Sequence, residues 1–243
     1  MNDKKDINAQ GVHISERIPL RGITRMTSIL MMQSHQEYAA ITGMLELDFT
    51  KLEDFRKRFL TDKFEDSASL TLTALMLKVT ALSLKENPTL NSSLIDNQIQ
   101  ILEEINIGLA VAMENGQLVV PVIRNVDKLS ISEISNQASH LAKKIRKGKI
   151  DLEDVSGGTF TFSNFGMFGG DIATPLINPP QSAILAMGRV IPKPVVVNEE
   201  IVIRKMGWIS VTVDHRIING VQAAKFGQTI DNIISNPQKY LSD

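Results

Sequence analysis

At 243 residues with 43% hydrophobic content, the chain can bury a sizeable core and is better sized for one domain than for two. A formal net charge of −1 and an isoelectric point near 6.4 argue against a nucleic-acid surface, which needs a concentrated positive field. The absence of cysteine rules out a disulfide framework and a cysteine nucleophile and suits a reducing cytoplasm; neither a secretion signal nor an apolar run near the ~20 residues of a membrane span is read.

Residues 1–16 are polar and aperiodic and read as a flexible N-terminal arm, leaving 17–243 as the folded domain. The first helix is expected over about Arg21 to His35, with Ile23, Met26 and Leu30 at helical spacing, and an extended segment follows from Tyr38 to Asp48. Thr50 and Glu53 have the spacing of a capping box for a helix that turns Leu52, Phe55 and Phe59 inward. Another helix runs from about Leu70 to Lys85, with Leu75, Val79 and Leu82 on one face, and stops near Asn87-Pro88. Ile105, Ile107, Leu109, Val111 and Met113 alternate as a strand, Asn115-Gly116 supplies a two-residue turn, and Leu118 to Ile123 return. Ser130 and Glu133 cap a long helix that faces Ile134, Ala138, Leu141 and Ile145 inward; the basic run from Lys143 to Lys149 falls at its end, where cations complement the helix dipole. Strands near 158–163, 182–188, 194–197, 200–205 and 207–213, then a final helix, complete an α/β chain with antiparallel elements and no internal repeat.

The most informative segment is Val213-Asp214-His215-Arg216-Ile217-Ile218-Asn219-Gly220. Ile209, Val211 and Val213 alternate with Ser210 and Thr212, the period of a half-buried strand, and a helical pattern begins after Gly220, with Asn219 where an N-cap belongs. A histidine delivered from a strand to a helix start is a candidate general base. Taken alone, the segment reads more simply with His215 as a core histidine, Asp214 and Arg216 as a surface ion pair and Asn219 as a plain cap. A second segment, Gly157 to Gly170, is an alternating strand that opens into a glycine-rich loop with Ser163 at its exit, and Asn178-Pro179-Pro180-Gln181-Ser182 starts another strand after a rigid turn. The glycines spell neither a P-loop nor a dinucleotide fingerprint, no Gly-x-Ser-x-Gly elbow surrounds Ser163, and His215 has too few neighbouring ligands for a metal site.

Together these segments resemble the catalytic domain of the dihydrolipoyl acyltransferase component of 2-oxoacid dehydrogenase complexes, a relative of chloramphenicol acetyltransferase. Ile18-Pro19-Leu20-Arg21-Gly22-Ile23, Leu84 to Asn91, Asn106 to Val111 and Leu118 to Ile123 extend the resemblance in family order over roughly residues 17 to 242. The resemblance implies a two-layer mixed β-sheet with helices on one side, and a trimer whose active site is a channel between subunits. It implies an acyl transfer, acetyl in the first place, between a dihydrolipoyl thiol and coenzyme A. His215 would be the general base and Ser163 the hydroxyl that steadies the oxyanion, with Ser163, Gly169 and Ser182 along the coenzyme A path and no metal. Many relatives carry Asp four residues after the histidine; Asn219 can hydrogen-bond but not pair with an arginine, so it takes an orienting role and points toward acetyl rather than succinyl transfer. Asp214 and Arg216 would anchor the histidine loop, and Phe165, Met167 and Phe168 would bound the acyl pocket.

Relatives' trimers often build cages through their C-terminal residues, for which Tyr240-Leu241 is the candidate anchor here. No lipoyl or subunit-binding domain is read before residue 17, so the lipoyl group is expected in trans, on a protein of a 2-oxoacid dehydrogenase complex. The alternatives are a stand-alone coenzyme A-dependent acyltransferase acting on a carrier protein or small molecule, and a non-catalytic trimeric scaffold. No nucleic acid or membrane partner is expected.

Overall fold

The computed structural model describes residues 6–63, 70–113 and 116–242. In chain order the elements are α1 (Gly22–Glu37), β1 (Ala40–Asp48), α2 (Thr50–Lys63), α3 (Leu72–Glu86), β2 (Ser92–Ile95), β3 (Gln98–Ile101), β4 (Ile107–Leu109), β5 (Val111–Ala112), β6 (Leu118–Val119) and β7 (Val122–Ile123). They continue with α4 (Ile131–Arg146), α5 (Leu152–Val155), β8 (Phe160–Asn164), β9 (Ala183–Val197), β10 (Glu200–Asp214), α6 (Gly220–Ser235) and α7 (Pro237–Leu241). Among the described residues the main sheet has six strands in the order β1-β10-β9-β8-β4-β7. β8 runs parallel to β4 and β9, and the other pairings are antiparallel.

Phe160 and Phe162 of β8, Leu185 of β9 and Ile209, Val211 and Val213 of β10 are fully buried in one core with Leu75 and Val79 of α3 and Phe226 and Ile230 of α6. The Phe160 and Phe226 rings, 5.9 Å apart and tilted, join sheet to helix. α3 is almost wholly buried because it packs on both α4 and α6, which explains its apolar surface. α4 begins with the capping box expected at Ser130 and Glu133. At its other end Lys144 pairs with Asp151 at 2.7 Å and Asp154 at 2.6 Å, so the basic run is partly neutralised within the chain.

Several elements depart from expectation. Thr50 opens α2 from inside rather than capping it: the Asp48 carboxylate accepts the Thr50 N–H at 2.8 Å, and the Thr50 hydroxyl accepts from the Lys205 N–H. The hairpin of residues 105–123 splits, β4 and β7 pairing in the main sheet and β5 and β6 in a separate ribbon; Asn115 lies outside the described residues. The four strands expected between 182 and 213 merge into two of 15 residues each. Pro192 and Pro194 are tolerated in β9 because pairing with β8 ends at Met187, leaving a free edge that needs no N–H. Asn198 and Glu199, both at positive φ, make the tight turn to β10. The arm carries a small turn, with Ile7 bridged to His13 and Asp6 paired with Arg17. The apolar stripe of α1 is exposed, Met26 at 59% and Ile29 and Met32 at 53% each.

Replacing the α4 cap, Ser130→Ala, removes the acceptor for the Glu133 N–H and is expected to lower stability by about 1 kcal/mol. Urea denaturation at constant protein concentration checks it.

Candidate active site

β10 ends at Asp214, whose side chain is completely buried although a carboxylate in that position must be compensated. Arg216 supplies the compensation: its Nε donates to both carboxylate oxygens at 3.0 Å and its Nη2 to Oδ2 at 2.6 Å, while its backbone N–H donates to Oδ1 at 3.1 Å. The same residue fixes the backbone. The Asp214 N–H donates to the Ser182 carbonyl, and the Asp214 carbonyl accepts from Ile217 and Ile218 at 3.0 and 2.9 Å, folding the chain into a tight turn. His215, in the middle of that turn, is tied by its N–H to the Ala39 carbonyl at 2.9 Å. Its imidazole is exposed and makes no hydrogen bond among the described residues, leaving both ring nitrogens available.

Asn219 follows as the N-cap of α6. Its side-chain oxygen accepts from the Gln222 N–H at 3.0 Å and its own N–H donates to Gln222 Oε1 at 2.9 Å. The side-chain NH2 of Asn219 has no partner among the described residues, and the residue is exposed. The expected anchoring pair is thus present around His215, and the cap and the candidate orienting role fall on different atoms of one side chain.

Tyr38 joins this cluster without having been foreseen. Its ring lies under Arg216, 5.3 Å from the guanidinium carbon to the ring centroid. Burial, and next the charge of Asp214, push its phenol up to about 12, against the opposing pull of Arg216, so the ring is neutral at physiological pH. Arg216 in turn is held above the usual guanidinium value, first by its hydrogen bonds to Asp214. Only pairing across 170-odd residues brings Tyr38 here, through the alignment of β1 with β10 that sets Ala40 opposite Asp214.

Ser163 stands near the end of β8, half-buried, and its hydroxyl has no hydrogen-bond partner among the described residues. The following Asn164 donates to the Thr73 hydroxyl at 2.9 Å and lines an open groove of about 500 Å³ together with Met167, Arg189 and Lys205. Gly166 and Gly188 bring two backbones together at the groove wall: a Cβ on Gly166 would overlap the Gly188 carbonyl, and one on Gly188 the Asp171 carbonyl. Of the two reasons for a glycine-rich loop, close approach to a ligand or to neighbouring backbone, the second holds at these positions. Gly169 is exposed at φ 88° and closes the short turn over Gly166–Phe168. Met167 and Phe168 are 71% and 72% exposed, at the tip of the loop rather than around an enclosed pocket.

Ser182 is placed differently from expectation. It is completely buried, and its hydroxyl accepts from Ser92 at 3.0 Å and reaches the Leu90 carbonyl at 3.3 Å. That placement fastens β9 to the segment before β2 and gives a ligand no access.

The register separates Ser163 from His215. Ser163 is level with Ala186 and Ser210, whereas His215 lies five residues beyond Ser210 and two strands away. With ~3.3 Å rise per residue and ~4.8 Å between strands, the two stand on the order of 20 Å apart in one copy. A base and an oxyanion donor acting on one carbonyl must each come within about 3 Å of the reacting atoms.

The family model for the 2-oxoacid dehydrogenases acyltransferase catalytic domain matches residues 12–242. The chain belongs to this family. The dihydrolipoyllysine-residue acetyltransferase component of the pyruvate dehydrogenase complex of Mycoplasma capricolum is 39% identical over 91% of the chain and 51% of its own length. The dihydrolipoyllysine-residue succinyltransferase component of the 2-oxoglutarate dehydrogenase complex of Pseudomonas aeruginosa is 33% identical over 98% of the chain and 58% of its length. The chain therefore spans little more than half the length of these relatives. A crystal structure of Azotobacter vinelandii dihydrolipoamide acetyltransferase, solved to study a serine, a histidine and an asparagine in its catalytic mechanism, superposes with a TM-score of 0.90 at 32% identity over 96% of both chains. Chloramphenicol acetyltransferase, at 13% identity and a TM-score of 0.58, shares the fold. The mixed sheet with helices on one side thus agrees with the acyltransferase family. Among the described residues no helix is long and apolar enough to cross a membrane.

The Tyr38 phenol has a spectroscopic signature. Of the two tyrosines, it is expected to give an ultraviolet phenolate step near pH 12 that Tyr38→Phe abolishes. Because its folded value is raised above the unfolded one, its contribution to stability is complete below pH ~10 and is lost as the pH climbs toward 12. Alkaline unfolding of the variant should accordingly begin at higher pH, as read by circular dichroism.

Proposed function

We propose that this acyltransferase-family domain moves an acetyl group between coenzyme A and a dihydrolipoyl thiol carried by a protein of a 2-oxoacid dehydrogenase complex, in the cytoplasm. The observation that carries the reading is the interval between three residues. The serine-to-histidine and histidine-to-asparagine intervals of the Azotobacter enzyme are identical to those separating Ser163, His215 and Asn219. Asparagine as the third member, and the identity to the Mycoplasma acetyltransferase, favour acetyl over succinyl.

In the reaction, one imidazole nitrogen of His215 takes the proton of the attacking thiol as the thiolate adds to the thioester carbonyl. The Ser163 hydroxyl donates to the oxyanion of the tetrahedral adduct, and collapse expels the second thiolate, to which the imidazolium returns the proton. Asn219, with its oxygen engaged in capping α6, has its amide left to orient groups beside the imidazole. The chemistry needs Ser163 and His215 on one carbonyl, and their separation in a single copy supports a site shared between neighbouring copies. The exposed Met26, Ile29 and Met32 face of α1 supports the same assembly, a homotrimer, since such a stripe calls for a partner.

Transfer from acetyl-coenzyme A to free dihydrolipoamide tests the proposal. His215→Ala is expected to lower kcat by ~10²–10⁴ and Ser163→Ala by roughly 10²–10³. Co-assembly of the two inactive chains should recover activity, because some interfaces then hold both intact residues. No transfer by a folded wild-type trimer would sink the reading and turn the search to another acceptor or a scaffold. A preference for succinyl-coenzyme A would reassign the acyl group.

A further inference from the structure

The turn that carries His215 is gripped from two consecutive residues at the corner between α1 and β1. Tyr38 ends α1, its N–H donating to the Ser34 carbonyl at 3.3 Å. Ala39 accepts the N–H of His215, and the Tyr38 ring lies against the Arg216 guanidinium. The Arg216 side chain is 41% exposed while the Asp214 carboxylate it holds is completely buried. The hydrogen bonds to Asp214 lie in the guanidinium plane and leave movement out of that plane unrestrained. A ring face at cation–π distance supplies the missing restraint.

We infer that Tyr38 is a positioning residue for the general base: its ring holds Arg216 on Asp214 and thereby holds the turn that presents His215. This inference rests on the acyl-transfer reading of His215. Tyr38 touches no reacting atom in this scheme. The charged groups around it are Asp214, Arg216 and the adjoining Glu37, and the ring enters as an uncharged face rather than as an acid or base.

Three variants in the assembled protein test it with acetyl-coenzyme A and dihydrolipoamide. Tyr38→Leu, which removes the ring, is expected to lower kcat about tenfold and leave both KM values within about twofold. Tyr38→Phe, which keeps the ring face, should return kcat to within about twofold of the wild type. In an Arg216→Ala background Tyr38→Leu should have no further effect, since the group it acts through is gone. Equal losses in both backgrounds, or a Phe variant no better than Leu, would overturn the inference.

Amide hydrogen exchange over residues 214–218 reads the positioning without turnover. It should quicken in Tyr38→Leu and stay at the wild-type rate in Tyr38→Phe; unchanged exchange in Tyr38→Leu would refute the role. If Tyr38→Leu fails to assemble, Tyr38→Met provides the same comparison. A wild-type protein that folds and assembles but transfers nothing would instead defeat the acyl-transfer reading, and the exchange result would still decide whether Tyr38 holds the turn.

Discussion

A carboxylate with no exposed surface governs the end of β10. Burying that carboxylate is costly unless a cation pairs with it, and Arg216, two residues on, can reach it only if the chain doubles back at once. That requirement, met by the hydrogen bonds of Ile217 and Ile218 to the Asp214 carbonyl, produces the turn. The turn lifts His215 out of the sheet and sets Asn219 at the start of α6. The exposed imidazole and the buried ion pair are therefore two sides of one constraint.

The constraint reaches across the fold because its partners come from two distant places. The residue just before β9 contributes the Ser182 carbonyl, and the corner before β1 contributes Ala39 and Tyr38. Ser182 is informative in this respect. Its side chain is buried in hydrogen bonds with Ser92 and Leu90, while its carbonyl receives Asp214, so it supports the site from within the core without facing any substrate.

The same sheet that steadies His215 keeps Ser163 away from it. β8 and β9 run parallel and β10 returns antiparallel, so the exit of β8 and the exit of β10 lie at opposite ends of their strands. A single copy thus holds the Ser163 hydroxyl and the His215 imidazole apart, each near a strand end and each without a hydrogen-bond partner among the described residues. The exposed apolar residues Met26, Ile29 and Met32 lie on α1, the helix whose C-terminal end leads into Tyr38.

Much of this was legible in the order of residues. Alternation located the strand into His215, the Ser130 and Glu133 spacing located the α4 cap, and the glycine-rich stretch after Ser163 marked a loop. These are local signals, each set by the period of a strand or the geometry of a helix end within a few residues. Where local signals misled, distant partners had intervened. Ser210 and Thr212 suggested a solvent-facing side, yet both are buried: the strand lies between β1 and β9, and Thr212 shares a 2.8 Å hydrogen bond with Thr42. Thr50 had the spacing of a cap, but its hydroxyl is taken by Lys205. The gaps expected between the strands of 182–213 are bridged, apart from the turn at Asn198 and Glu199, by pairing between β9 and β10.

From the order of residues alone come the principal helices, the strand that leads into His215 and the candidate site residues His215, Asn219 and Ser163, because strand period, capping and turn composition act over short stretches of chain. What only the tertiary structure decided is which groups meet: Tyr38 beneath Arg216, Ser182 inside the core, and Ser163 far from His215. Those outcomes depend on strand order and register, which are set by burying the sheet against α3 and α6 as a whole and leave no mark within any single segment.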